Sequence, residues 1–114
     1  MATIEFVRGE GVSRTFRLWR DRAMTQPFDL TGYTGKSELR VVPGESGAPA
    51  AQFAVECGAD GVANAVRLSL PSAQSALLAA KSYAFDLFIA PAGGEPTCIL
   101  RGTVRGAERV TIWP

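Results

Sequence analysis

The sequence predicts a single all-β domain. Three observations carry this: apolar and polar side chains alternate with period two in short runs, the runs are separated by Gly, Pro, Asp and Asn, and helical periodicity is nearly absent. The chain has 114 residues, 46% hydrophobic and 20% charged. That is enough for one folded core and too little for two ordinary domains, so residues 1–114 read as one domain. About eight short strands at regular spacing favour an antiparallel sandwich or a small barrel over any α/β arrangement.

Taken in order, residues 3–7 set Ile4 and Phe6 apart from Glu5, and Gly9-Glu10-Gly11 makes a turn. Residues 12–20 place Val12, Phe16 and Leu18 on one face, where Arg14 interrupts, and Trp19 on the other with Ser13, Thr15 and Arg17. A polar connection over 21–27 leads to Phe28-Asp29-Leu30-Thr31-Gly32-Tyr33. The strand at 34–42 then turns Ser37, Leu39 and Val41 inward and Lys36, Glu38 and Arg40 outward. Two prolines and small turn formers make 43–49 a surface loop, and 52–57 is a weaker strand. From Asn64 the alternation resumes with Val66, Leu68 and Leu70 inward. Pro71 followed by Ser72 and an alanine-rich run suggests one short helix over 71–79, too short to stand without packing on the sheet. Residues 83–90 are the most apolar strand: Tyr83, Phe85, Leu87 and Ile89 lie on one side, and the other side also looks covered, which argues for a central place. A hairpin loop at 91–96 and strands at 97–105 and 108–113 complete the chain.

The absence of histidine removes Ser-His and Cys-His nucleophilic systems and imidazole metal sites. Cys57 and Cys98, with no CxxC pair, cannot supply a structural zinc site. The glycine-rich turns lack the lysine and the following helix of a phosphate-binding loop. No catalytic residue, cofactor or metal is therefore expected, and no small-molecule substrate; acid pairs drawn from Asp29, Glu38 and Asp86 make only a weak case for a hydrolase. The N-terminus has no secretory pattern and no run approaches a membrane span, so the thiols are expected free and partly buried in a reducing compartment. Twelve basic residues against eleven acids give a net charge of +1, which provides no electrostatic case for a nucleic-acid partner.

Two groups of residues stand out. Arg17, Trp19, Arg20 and Trp113 are the candidate interface residues, because tryptophan and arginine dominate contact energies between proteins; ordinary packing at the edge of the core is the alternative for both tryptophans. Asp86 lies between Phe85 and Leu87 in the apolar strand, and a buried carboxylate requires a partner. Arg40 is the first choice, forming a structural ion pair that fixes register, with the backbone or Arg101 as competitors and a solvent-facing Asp as the alternative.

Three segments together carry a resemblance. Phe28-Asp29-Leu30-Thr31-Gly32-Tyr33 leading to Glu38-Leu39-Arg40, then Leu68-Ser69-Leu70-Pro71-Ser72-Ala73-Gln74-Ser75-Ala76-Leu77, then Ser82-Tyr83-Ala84-Phe85-Asp86-Leu87 with Gly102-Thr103-Val104, look like the N-terminal domain of phage baseplate upper proteins and related small tail proteins. The order and spacing match from about Phe6 to Ile112. The resemblance implies an immunoglobulin-like β-sandwich that serves as a virion part, attaching a fibre or spike to the tail or baseplate. It implies tail, baseplate or fibre proteins as partners, a homo-oligomer in the assembled particle, and a location in the virion after assembly in the host cytoplasm. The 114 residues hold no helical linker or fibre-binding domain, so a stand-alone adaptor is expected rather than a receptor binder. A carbohydrate-binding β-sandwich module is the alternative, and it requires two or three aromatics coplanar on one exposed face or loop rim, for which only Trp19, Tyr33 and Trp113 are available.

Overall fold

The computed structural model describes residues 2–111. The chain is mostly β: β1 (Ala2–Val7), β2 (Val12–Arg17), β3 (Tyr33–Arg40), β4 (Ala51–Cys57), β5 (Ala65–Leu70), β6 (Ser82–Pro91) and β7 (Thr97–Ala107), with a 3-10 turn at Ala59–Gly61 and one helical turn, α1 (Ser72–Ser75). These seven strands form one sheet in the order β1-β7-β6-β3-β4-β5-β2. Every pairing is antiparallel except β1 with β7, which is parallel. The sheet is thus mixed, with seven strands among the described residues where about eight antiparallel ones were expected. Residues 108–111 extend no strand, and the rest of the expected 108–113 strand lies outside the described residues.

The sheet is barrel-like, and two features curl it. Along β4, Ala51–Phe53 pairs with β3, but from Ala54 onward the strand pairs with β5, so the sheet turns a corner within one strand. The two ends of the strand order, β1 and β2, are consecutive in the chain and joined by a turn in which Gly9 takes φ +90, a conformation open to glycine. Arg14 of β2 reaches across to β1, where its Nη2 donates to the Glu5 carbonyl at 2.8 Å. The arginine that interrupts the apolar face of β2 in the sequence therefore spans the seam between the two edges.

Inside the curl lies one core, to which Ile4, Phe6, Leu39, Phe53, Val66, Leu68, Leu70, Tyr83, Phe85, Leu87, Ile89 and Val104 contribute from six strands. Leu39, Leu68, Phe85 and Leu87 share this interior and are at most 4% exposed, as the alternation predicts. Each large side chain buried this way contributes about 1.5–3 kcal/mol relative to exposure. Val41, expected inward, is 50% exposed because β3 ends at Arg40. β6 is central, between β7 and β3, but its outer face is not covered: Asp86 is half-buried and Phe88 is 38% exposed. β1 docks where β7 carries glycines. A Cβ on Gly102 would fall on the Ala2 backbone, and one on Gly106 would stand 2.8 Å from the Phe6 ring.

The expected helix over 71–79 is reduced to the single turn α1. Its anchor is Ser75, fully buried, whose Oγ donates to the Glu10 carbonyl at 2.6 Å and accepts from the Gly9 N–H at 3.1 Å. The helical turn is held by the β1–β2 turn rather than by its own length. No helix among the described residues is long and apolar enough to cross a membrane.

Candidate interaction site

The segment between β2 and β3 builds a grooved surface outside the core. After Arg17 the chain leaves β2 and folds into a small hairpin closed by a bridge between Trp19 and Pro27, with the Arg20 N–H donating to the Gln26 carbonyl at 2.8 Å. Asp21 organises its tip by accepting from the backbone N–H groups of Thr25 and Gln26, both at 3.0 Å, and from the Thr25 hydroxyl. These bonds, the Thr25 hydroxyl first and then the Gln26 amide, hold the Asp21 carboxyl below the usual carboxylate range. The hairpin is tied to the body by Asn64, a buried polar residue. Its Nδ2 donates to the Leu18 carbonyl at 3.1 Å, which also takes the Phe28 N–H at 3.0 Å, while the Leu18 N–H donates to the Asn64 carbonyl at 2.9 Å.

The next motif sets the far side of the hairpin. In Asp29-Leu30-Thr31-Gly32 the Asp29 carboxylate accepts from the Thr31 hydroxyl at 2.7 Å and the Thr31 N–H at 2.9 Å, and Gly32 takes φ +80. The Thr31 hydroxyl is the main reason the Asp29 carboxyl lies below its ordinary value, followed by the Thr31 amide and the charge of Arg20. The turn drives Leu30 into the core and delivers Tyr33 to the start of β3, where it meets Phe28 edge to face at 5.5 Å. The Arg20 guanidinium lies over the Phe28 ring, 5.2 Å from its centroid.

Between this hairpin and the sheet runs an open groove of about 470 Å³, lined by Leu18, Trp19, Arg20 and Phe28 on one side and by Ile89 and Ile99 on the other. Ile99 is there because β7 carries a bulge: Leu87 faces Leu100 and Phe88 faces Cys98, so Ile99 is an extra residue with no partner on β6. Of the expected interface residues, Trp19 and Arg20 line the groove, with Trp19 half-buried and Arg20 exposed. Arg17 is exposed on β2 and is not among the groove residues. Trp113 lies outside the described residues. Sequence reading missed Ile99, since a bulge carries no sequence signal in a run of apolar residues. It also missed Asn64, which read only as the start of a strand.

The outer face of β3, β6 and β7 holds the charges. Asp86 stands opposite Glu38 on β3 and opposite Arg101 on β7. The expected Arg40–Asp86 ion pair does not form. Arg40 faces Ala84, one diagonal away, and its guanidinium is engaged by Glu38 at 3.1 Å and by the Glu45 and Gly47 carbonyls at 3.0 and 2.9 Å. A carboxylate two residues away on the same strand face, together with two loop carbonyls, outcompetes a cross-strand acid. Asp86 is half-buried on a wet face and has no ion pair at 4.0 Å or less among the described residues. A shallow depression of about 560 Å³ lies beside it, lined by Phe88, Cys98, Ile99, Leu100 and Arg101. Both thiols are free; Cys57 is half-buried and Cys98 exposed, and burial pushes the Cys57 thiol up.

Compared with known proteins, the chain matches no family model and no curated protein sequence.

Proposed function

We propose that this chain is a structural component of a phage tail or baseplate, an adaptor that helps attach a fibre or spike through protein contacts and carries no catalysis of its own. The resemblance of its three segments supports this reading. The single physical observation that carries it is the groove beneath the Trp19–Pro27 hairpin: an anchored aromatic and an arginine held over apolar side chains on a rigid sheet, the composition from which interface hot spots are built. On this reading the curled sheet is an immunoglobulin-like sandwich, with β4 as the strand that passes from one layer to the other. Copies repeat around the particle axis, with other tail, baseplate or fibre proteins as partners.

The test is light scattering and affinity co-purification of the chain alone and co-expressed with phage tail proteins, repeated for Trp19→Ala and Arg20→Ala. The reading expects a defined assembly that both substitutions weaken while the thermal midpoint stays within reach of the parent. A strict monomer that retains no tail protein rejects it. Specific retention on a glycan array is the outcome that favours the carbohydrate-binding alternative instead.

A further inference from the structure

The outer face of β1, β7, β6 and β3 holds charges that its own strands leave unmatched. Asp86 of β6 stands opposite Arg101 of β7, and Arg105 of β7 stands opposite Glu5 of β1, yet neither pair closes to 4.0 Å or less. On β3 the acid is already met, because Glu38 takes Lys36 at 3.6 Å and Arg40 at 3.1 Å. Two acids and two arginines on β1, β7 and β6 are thus without an ion pair among the described residues, and as a set they carry no net charge. Such a set offers no field to a nucleic acid, an anionic membrane or an acidic segment; it complements a surface of the same mixture. Beside these charges, Phe88 is the one exposed aromatic residue among the described residues. It lines two hollows, one of about 560 Å³ toward β7 with Cys98, Leu100 and Arg101, and one of about 410 Å³ toward β3 with Thr34 and Lys36. Phe88 therefore stands as a knob with a hollow on either side.

We infer that this face is the contact between two copies of the chain, packed sheet to sheet about a two-fold axis that runs along the strands between β6 and β7. That line is the middle of the four-strand row β1-β7-β6-β3, so a half-turn lays β6 of one copy over β7 of the other and β1 over β3. Asp86 of each copy then faces Arg101 of the other, and Phe88 of each enters the hollow beside the other's Arg101. Around the axis the four charges alternate in sign. Stacked sheets lie about 10 Å apart, a gap that an arginine and an aspartate span together. Four strands of six to eleven residues, at the usual spacing and rise, cover about 570 Å² per copy and about 1,100 Å² in both. That is the low end of specific interfaces, so the association is reversible and concentration-dependent. The inference does not depend on the adaptor reading and uses neither Trp19 nor Arg20.

The experiment reverses one charge at a time. Asp86→Arg and Arg101→Glu each place four like charges about the axis. Sedimentation velocity from about 5 to 500 μM should show the parent passing from monomer toward dimer, and each variant should associate more weakly by about 10-fold or more. Mixed in equal amounts, the two variants should pair with each other at least as tightly as the parent pairs with itself, because one presents only arginines there and the other only carboxylates. A parent that stays monomeric to the top of that range overturns the proposal. So does a smaller loss in either variant, or two folded variants that stay apart when mixed. Should a variant fail to fold, bismaleimidoethane on the parent decides: Cys98 is exposed and meets Cys98 of the other copy across the axis. A crosslink between those two thiols supports the contact, and its absence overturns it. Trp19→Ala should leave the dimer unchanged, so loss of self-association and loss of tail-protein retention are separate outcomes.

Discussion

Replacing Ser75 with alanine tests the idea that one buried hydroxyl, beside the Arg8 guanidinium that donates to the Ala76 carbonyl at 2.8 Å, joins the two turns at one end of the sheet. Ser75 is fully buried; its Oγ donates to the Glu10 carbonyl at 2.6 Å and accepts from the Gly9 N–H at 3.1 Å. The substitution leaves a donor and an acceptor of the β1–β2 turn without partners. Full burial of both would cost about 1–3 kcal/mol each. Gly9 is half-buried and Glu10 exposed, so water recovers part of this and about 1–2 kcal/mol remains. For a domain of this size that lowers the thermal midpoint by about 4–10 °C. Thermal unfolding followed by near-ultraviolet circular dichroism measures it, with Ser46→Ala in the exposed loop as the control, and the Gly9 amide should exchange faster than in the parent. A midpoint within about 1 °C of the parent, with the Gly9 amide unchanged, refutes the reasoning.

Gly35→Ala places a Cβ 2.5 Å from the Val55 Cγ1 and should cost about 1–3 kcal/mol in urea unfolding; Val55→Ala in the same chain should recover part of that cost, and simple additivity would count against the clash. Gly102→Ala drives a methyl into the Ala2 backbone, so the amides of Ile4 and Phe6 should exchange faster, whereas Gly11→Ala, which meets nothing within 4 Å, should leave them alone. Asp21 and Asp29 both have their carboxyls lowered by hydrogen bonds, from Thr25 and Thr31 first. A lowered folded value means a contribution present above the unfolded value of about 3.9 and lost as pH falls through the folded one, so the urea midpoint should decline at that acid end and Asp21→Asn should flatten the decline. With Cys57 half-buried and its thiol pushed up, iodoacetamide at mildly alkaline pH should label exposed Cys98 first by mass spectrometry, and the reverse order would contradict the placement.

Period-two alternation was enough to place the interior of β3, β5 and β6, because a strand with one buried face writes that face into every second residue: Ser37 and Leu39, Val66 and Leu68, Phe85 and Leu87 all point inward. Pairing order is a different kind of information. Nothing in Ile4 or Phe6 says that their neighbours are Val104 and Gly106 in parallel, and nothing in Gln52 or Ala54 says that β4 changes partners between them. Asp86 shows the limit from another side. Its apolar neighbours in sequence suggested cover on both faces, yet Phe88 beside it is open to water and Arg40 is taken by Glu38. The candidate site was half legible: Trp19 and Arg20 are conspicuous residues, but the groove they line depends on a bulge at Ile99, which is a property of the pairing.

The parallel pairing of β1 with β7 also has a consequence for how the protein is made. Ala2 meets Gly102, a residue about a hundred positions later in the chain. During synthesis at about 5–20 residues per second, Ile4 and Phe6 emerge first and wait roughly 5–20 s for the strand that shelters them. Over that interval a growing polypeptide presents a sticky, unpaired N-terminal ribbon, and many ribosomes on one message hold such ribbons close together. Overproduction should therefore be limited by aggregation of unfinished chains, and slower translation at low temperature, or a chaperone bound to the first strand, should raise the soluble yield.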